Sequence, residues 1–252
     1  MIPSVSTFVL QKDASAPVLV LGPSLGTSSN VWTAAAERLA SEFTVVCWDL
    51  PGHGASPPAT EPFGLPEIAD AVAASVDTDE YIYAGVSLGG AVGLHLALRD
   101  HRMRGTAAIC SGAIIGSPTG WYDRAALVRA SGTSALVKSS RERWFAPGNL
   151  TESAQHLLDA LPAVDDESYA LCCEALASHD LRSELPRIAV PVLAAWGEHD
   201  LVTPAIRSEE IAAGVRNGGT HRIAHAGHLA PLERPDDVAS ILKAHFMSIT
   251  SA

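Results

Sequence analysis

Apolar residues along this chain come in short continuous runs. The runs are 17–22 (PVLVLG), 43–49 (FTVVCWD), 81–86 (YIYAGV), 106–111 (TAAICS) and 190–196 (VPVLAAW). A run of this length without a polar face predicts a strand buried on both sides, as in a sheet covered by helices. Helix-length segments separate the runs: 31–41, 65–76, 88–99, 206–215 and 235–246. Pro66 stands near the start of the second, where its missing N–H is no loss. Segments 7–11 and 219–223 read as short strands. Strand and helix signals that alternate in this way predict right-handed βαβ units and an α/β fold with a mostly parallel, doubly wound sheet. Between Ser117 and Arg187 the strand signal stops. That segment is helical in character, with breaks at Pro147-Gly148 and Pro162. It reads as a helical lid at 117–187 on a core made of 1–116 and 188–252.

Composition narrows the partners. The chain has 252 residues, 47% of them hydrophobic, enough for one sizeable core. Its formal net charge is −11, from 17 basic and 28 acidic residues. With no basic run, that balance argues against nucleic acid or an anionic membrane as partner. No apolar run reaches membrane-span length, and residues 1–10 lack the basic and apolar regions of a secretory signal. Cys47, Cys110, Cys172 and Cys173 have no C-x-x-C spacing and read as buried free thiols, which fits a reducing cytoplasm.

The candidate chemistry begins at Gly85-Val86-Ser87-Leu88-Gly89. A Gly-x-Ser-x-Gly set between a strand and a helix predicts a nucleophile elbow, a sharp turn that holds the serine hydroxyl above the sheet. A serine hydroxyl needs a base within reach and a group that orients the base. The segment Gly197-Glu198-His199-Asp200 follows a strand and supplies an acid; Asp200 is the choice and Glu198 the reserve. The segment His225-Ala226-Gly227-His228 follows the last strand; His228 is the expected base, with His225 as its near alternative. An oxyanion hole needs two backbone N–H groups. Leu88, which follows the serine, is one, and Leu25 in the loop Gly22-Pro23-Ser24-Leu25-Gly26 is the other. The turn Asp49-Leu50-Pro51-Gly52-His53-Gly54-Ala55-Ser56 reads as scaffold, with His53 non-catalytic. His221, His225 and His228 have no cysteine or paired carboxylate beside them, so neither metal nor cofactor is expected.

These separated motifs resemble the α/β-hydrolase family, and within it the 3-oxoadipate enol-lactonases. The features shared with the latter are Ser24-Leu25-Gly26-Thr27 followed by Trp32, the elbow Gly85-Val86-Ser87-Leu88-Gly89-Gly90, and the lid segments Gly120-Trp121-Tyr122-Asp123-Arg124 and Arg141-Glu142-Arg143-Trp144-Phe145-Ala146-Pro147-Gly148. The resemblance implies a sheet with the lid inserted after the sixth strand, although the short N-terminus leaves room for only one clear strand before 17–22. It also implies hydrolysis of an anionic enol-lactone in the β-ketoadipate route of aromatic breakdown. An anionic substrate needs a local cation in so acidic a chain. Arg129 is the expected anchor among the lid cations Arg124, Arg129, Lys138, Arg141 and Arg143, with Trp121 and Trp144 lining the pocket. The alternatives are a general carboxylesterase or perhydrolase on the same scaffold, or a hydrolase-like protein that binds a small ligand.

Overall fold

The structure is a computed structural model that describes residues 2–11 and 16–250. Its centre is a seven-stranded sheet in the spatial order β1-β3-β2-β4-β5-β6-β7. The strands are β1 (Ser6–Gln11), β2 (Val18–Gly22), β3 (Thr44–Asp49), β4 (Tyr81–Val86), β5 (Met103–Ile109), β6 (Val192–Gly197) and β7 (Gly218–Ile223). β1 pairs antiparallel with β3, and all the other pairs are parallel. β3 and β4 are buried along their whole length, as their unbroken apolar runs require. β7 closes the other edge and is exposed at every position except Ile223.

The helices follow in chain order. α1 (Thr33–Leu39), α2 (Leu65–Ser75) and α3 (Leu88–Arg99) connect the first parallel strands. α4 (Pro118–Ser131), α5 (Val137–Trp144), α6 (Glu152–Ala160) and α7 (Asp166–Ala177) form the helical segment between β5 and β6. α8 (Ala205–Gly214), the short α9 (Ala230–Glu233) and α10 (Pro235–Thr250) complete the chain. α2 opens with Pro66 in its first turn, and the Glu67 carboxylate accepts from the Gly64 N–H at 2.9 Å, satisfying a donor that the helix leaves free. α10 packs Phe246 edge-on against Phe43, with ring centres 6.4 Å apart.

Two expectations change. The segment 31–41 opens as a 3₁₀ turn over Ser29–Trp32, and α1 proper starts at Thr33. Five strands precede the helical segment among the described residues, so the insertion follows the fifth strand and not the sixth. Before β2 the described residues form the single edge strand β1, which runs back along β3.

β2 lies between β3 and β4, so the winding direction of the chain reverses there. In an open parallel sheet the crevice beyond the strand ends at such a reversal is where ligands bind. The loops after β2 and β4, which carry Leu25 and Ser87, border it.

Buried histidines make the fold sensitive to acid. On α3, His95 Nε2 lies 3.2 Å from Nδ1 of His179, just past α7, and His179 Nε2 lies 3.1 Å from the Gly112 carbonyl. This chain joins α3 to both ends of the helical insertion. Burial, reinforced by the neighbouring His179 and Arg99, pushes His95 down to about 3 from 6.5, and burial pushes His53 down to about 4. From about pH 6.5 to about 4 the unfolded chain therefore takes up protons that the folded chain refuses. Stability falls as pH falls through that window. The expected result is a Tm that declines steadily between about pH 7 and pH 4; a Tm flat across that range would contradict it.

Candidate active site

Ser87 sits where the β4-to-α3 turn is tightest. Its φ is +56°, in the region that side chains other than glycine rarely adopt. Such strain persists only where the surroundings enforce it. Here the Ser87 N–H donates to the Ile109 carbonyl at 2.9 Å, and Ser111 Oγ donates to the Ser87 carbonyl at 2.7 Å. Gly89 has to be glycine, because a Cβ there would lie 2.6 Å from the Gly22 backbone. That approach lets the Gly89 N–H donate to the Pro23 carbonyl at 3.0 Å, locking the elbow to the loop after β2.

The loops after β6 and β7 bring the acid and the imidazole together. His228 Nδ1 is 3.0 Å from Asp200 Oδ2 and 3.1 Å from Oδ1, with both residues buried. The carboxylate also accepts from Val202 N–H at 2.7 Å, Thr203 N–H at 3.0 Å and Thr203 Oγ1 at 2.7 Å. Burial alone pushes Asp200 up, but the His228 charge and the bonds from His228 and Thr203 outweigh it and hold the carboxyl at about 2. Asp200 is therefore ionised at neutral pH and accepts the Nδ1 proton, the tautomer that presents Nε2 as the acceptor. Cys110 lies against this pair, but burial drives its thiol well above the ordinary range, and it donates to the Gly227 carbonyl at 3.6 Å. Glu198 faces outward and takes Arg222 and the His225 N–H, while His225 itself is three-quarters exposed.

The loop after β2 is tied down at nearly every amide. Ser24 N–H donates to Thr27 Oγ1 at 3.2 Å, Thr27 N–H to the Ser24 carbonyl at 3.0 Å, and Gly26 N–H to His53 Nε2 at 3.1 Å. The Leu25 N–H has no acceptor among the described residues, and neither does Leu88 N–H at the head of α3. These are the two amides expected for an oxyanion. His53 has a specific task in this loop. Its Nδ1 lies 2.8 Å from the Pro51 carbonyl, to which it donates, and this leaves Nε2 to accept from Gly26. Burial keeps the ring neutral, so it stays an acceptor at neutral pH.

Ser87 and His228 share the wall of one cavity with Ser24, Leu25, Trp121, Arg124, Ser140, Arg143, Trp144 and Val202. It is narrow: water-sized spheres can centre in only about 30 Å³ of it, space for roughly two waters. Trp121 and Trp144 therefore line it, as the sequence suggests. Arg129 does not. It turns to the other face of α4 and pairs with Glu167 at 2.7 Å and with Glu174. Arg124 and Arg143 reach the cavity instead, and Arg124 donates to the Tyr169 hydroxyl at 3.2 Å. Among the described residues, Arg124, Lys138, Arg141 and Arg143 all lack a carboxylate within ion-pair distance. Elsewhere among the described residues only Arg216 shares that state, and it donates to the Pro186 carbonyl.

The lid wall and the histidine loop are bonded together. His228 and Leu229 N–H both donate to the Trp144 carbonyl, at 2.9 and 3.1 Å. The Glu233 carboxylate accepts from Ala146 N–H on one side and Gly227 N–H on the other, each at 2.8 Å. Of these supports, Trp144, Ala146 and Gly227-His228 lie in segments that stood out in the sequence, whereas nothing there marked the Glu233 carboxylate as the group that joins them.

Comparison with known proteins gives the family. The sequence pattern of the Alpha/beta hydrolase family matches residues 18–241. The chain is 31% identical over 229 residues to 3-oxoadipate enol-lactonase 2 of Acinetobacter baylyi, covering 88% of this chain and 85% of that protein. It is 32% identical to the pimeloyl-[acyl-carrier protein] methyl ester esterase of Stenotrophomonas maltophilia, covering 92% and 93%. Among solved structures, the enol-lactonase from Burkholderia xenovorans LB400 superposes with a TM-score of 0.92 at 29% identity, over 96% of each chain. A strained serine at the strand-to-helix turn, a buried Asp–His pair from the last two strand ends and a family pattern spanning most of the sequence lead to one conclusion: this chain belongs to the alpha/beta hydrolase family.

Proposed function

We propose that this protein hydrolyses a carboxylate-bearing lactone, with 3-oxoadipate enol-lactone as the substrate that fits best, through Ser87, His228 and Asp200. The observation that carries the reading is the buried His228–Asp200 pair opening onto the same cavity as Ser87. The enol-lactonase relatives point to the substrate class, and the carboxylate-free lid arginines Arg124 and Arg143 support an anionic one.

Ser87 Oγ attacks the lactone carbonyl while His228 Nε2 takes its proton. Asp200 holds the ring and stabilises the imidazolium. The N–H groups of Leu25 and Leu88 receive the negative charge on the carbonyl oxygen. When the ring C–O bond breaks, the enol oxygen leaves with the proton returned by His228, and the enol relaxes to the ketone. Water, deprotonated by His228, then cleaves the acyl-serine ester and releases the dicarboxylate. An enolate is a better leaving group than a simple alkoxide, so stabilising the tetrahedral intermediate is the main demand on the site.

A spectrophotometric assay of enol-lactone loss, run beside p-nitrophenyl acetate, tests this. The expected result is a kcat/KM for the lactone far above that for the aryl ester. The reverse order would favour the carboxylesterase reading, to which the methyl ester esterase relative lends weight. Salt gives a further check. Four unpaired lid cations attract an anionic substrate, and ions screen that attraction. The kcat/KM for the lactone should fall several-fold between about 20 mM and 500 mM salt, while that for neutral p-nitrophenyl acetate stays level. Equal salt responses would remove the electrostatic role.

A further inference from the structure

Ser140 on α5 is a hydroxyl for which the folded chain provides no partner. Its residue is 2% exposed, its Oγ makes no hydrogen bond, and it lines the cavity shared by Ser87 and His228. A buried hydroxyl left unpaired is destabilising, because it has lost its bonds to water and gained none. The neighbouring Ser139 turns back onto the Leu136 carbonyl at 3.0 Å, the local solution open to a helical serine. Ser140 instead faces the cavity with its hydrogen-bonding capacity unused. Arg124 and Arg143 line the same cavity without a carboxylate of their own. Burial and the nearby Arg124 charge lower the basicity of Arg143, so the site is short of negative charge.

Two guanidinium groups and one hydroxyl, with no acid among them, match a carboxylate. The guanidinium N–H groups bond its oxygens in the plane, and a hydroxyl donates to a remaining lone pair. We propose that Ser140, Arg124 and Arg143 form a carboxylate subsite, with Ser140 as its specificity-determining hydroxyl. The group held there is the substrate carboxylate remote from the bond being cleaved. Ser140 lies three residues from Arg143 and four from Trp144 on α5, so the three share one face. This proposal rests on the Ser87 hydrolase reading and deepens it.

The test compares two esters of one chain length, the p-nitrophenyl monoester of adipic acid and p-nitrophenyl hexanoate. The quantity read is the ratio of their kcat/KM values. In Ser140→Ala the ratio should fall about tenfold or more, chiefly through KM for the monoester, since a hydrogen bond to a charged group is lost. Ser140→Thr, which keeps the hydroxyl, should restore most of the ratio, an outcome that a packing role would not give. A ratio unchanged in Ser140→Ala, or lowered equally in Ser140→Thr, overturns the subsite while the hydrolase reading stands. Wild-type protein that turns over neither ester overturns the hydrolase reading and the subsite with it.

Discussion

Replacing Ser87 with alanine should lower kcat by about 10⁴- to 10⁶-fold, the loss seen when serine hydrolases lose their nucleophile. The expectation follows from position. Ser87 is held at φ +56° by bonds to Ile109 and Ser111, a conformation that neither β4 nor α3 would adopt unaided. Alanine removes Oγ and nothing that supports the turn, because those bonds run through the backbone of residue 87. The variant should therefore fold and melt close to wild type, and KM should change far less than kcat. Steady-state kinetics with the lactone, together with a melting curve, check both parts. Activity within about a hundredfold of wild type would remove Ser87 from the chemistry.

Asp200→Asn should cost about 10⁴-fold in kcat. Asparagine can still accept the Val202 and Thr203 N–H bonds through its oxygen, so the loop after β6 has reason to keep its shape. Its amide nitrogen, however, faces His228 Nδ1 as a donor. The ring must then present Nδ1 as acceptor and carry its proton on Nε2, where a base needs a lone pair. The ionised carboxylate that stabilises the imidazolium is lost at the same time. A kcat at pH 7 to 8 within about tenfold of wild type would show that Asp200 has no such role. Thr203→Val is a milder companion, because it removes one of the four groups bonding the carboxylate and leaves its charge.

Much of the frame was legible because burial leaves a strong mark on sequence. β3 and β4 are buried on both faces, and their apolar runs delimit them almost to the residue. β5 starts earlier than its apolar run suggests, at Met103: the exposed Arg104 falls at a shift in the ladder, between Met103, which pairs with Tyr81, and Gly105, which pairs with Ile82. The placement of Ser87, Asp200 and His228 at strand ends was readable for a related reason. Each follows a strand signal and sits beside a glycine-containing turn.

The lid was harder to read. Its helices carry charge on several sides, so composition does not say which arginine turns inward. Helical geometry holds part of the answer. At about 100° per residue, Arg129 lies about 140° around α4 from Arg124, so the two cannot face the same cavity. Arg124 lies three residues from Trp121 and shares its side, and the Arg124 guanidinium stands 5.6 Å from the Trp121 ring. Trp121 alone does not choose between them, since Arg124 lies about 60° to one side of it and Arg129 about 80° to the other. The supports of the site left no such trace. The His53 bond to Gly26 spans 27 residues and the Glu233 bond to Ala146 spans 87, and contacts of that reach depend on the finished tertiary packing.

The most direct measurement is labelling of the native protein with a fluorophosphonate, followed by intact mass and peptide mapping. A phosphonyl group attaches only to a serine whose hydroxyl has been made nucleophilic, which is the whole of the claim for Ser87, His228 and Asp200. The account predicts one adduct per chain, mapped to Ser87, lost in Ser87→Ala and strongly slowed in Asp200→Asn. An unmodified Ser87 under conditions that label a control serine hydrolase, or an adduct mapped to another residue, would contradict it.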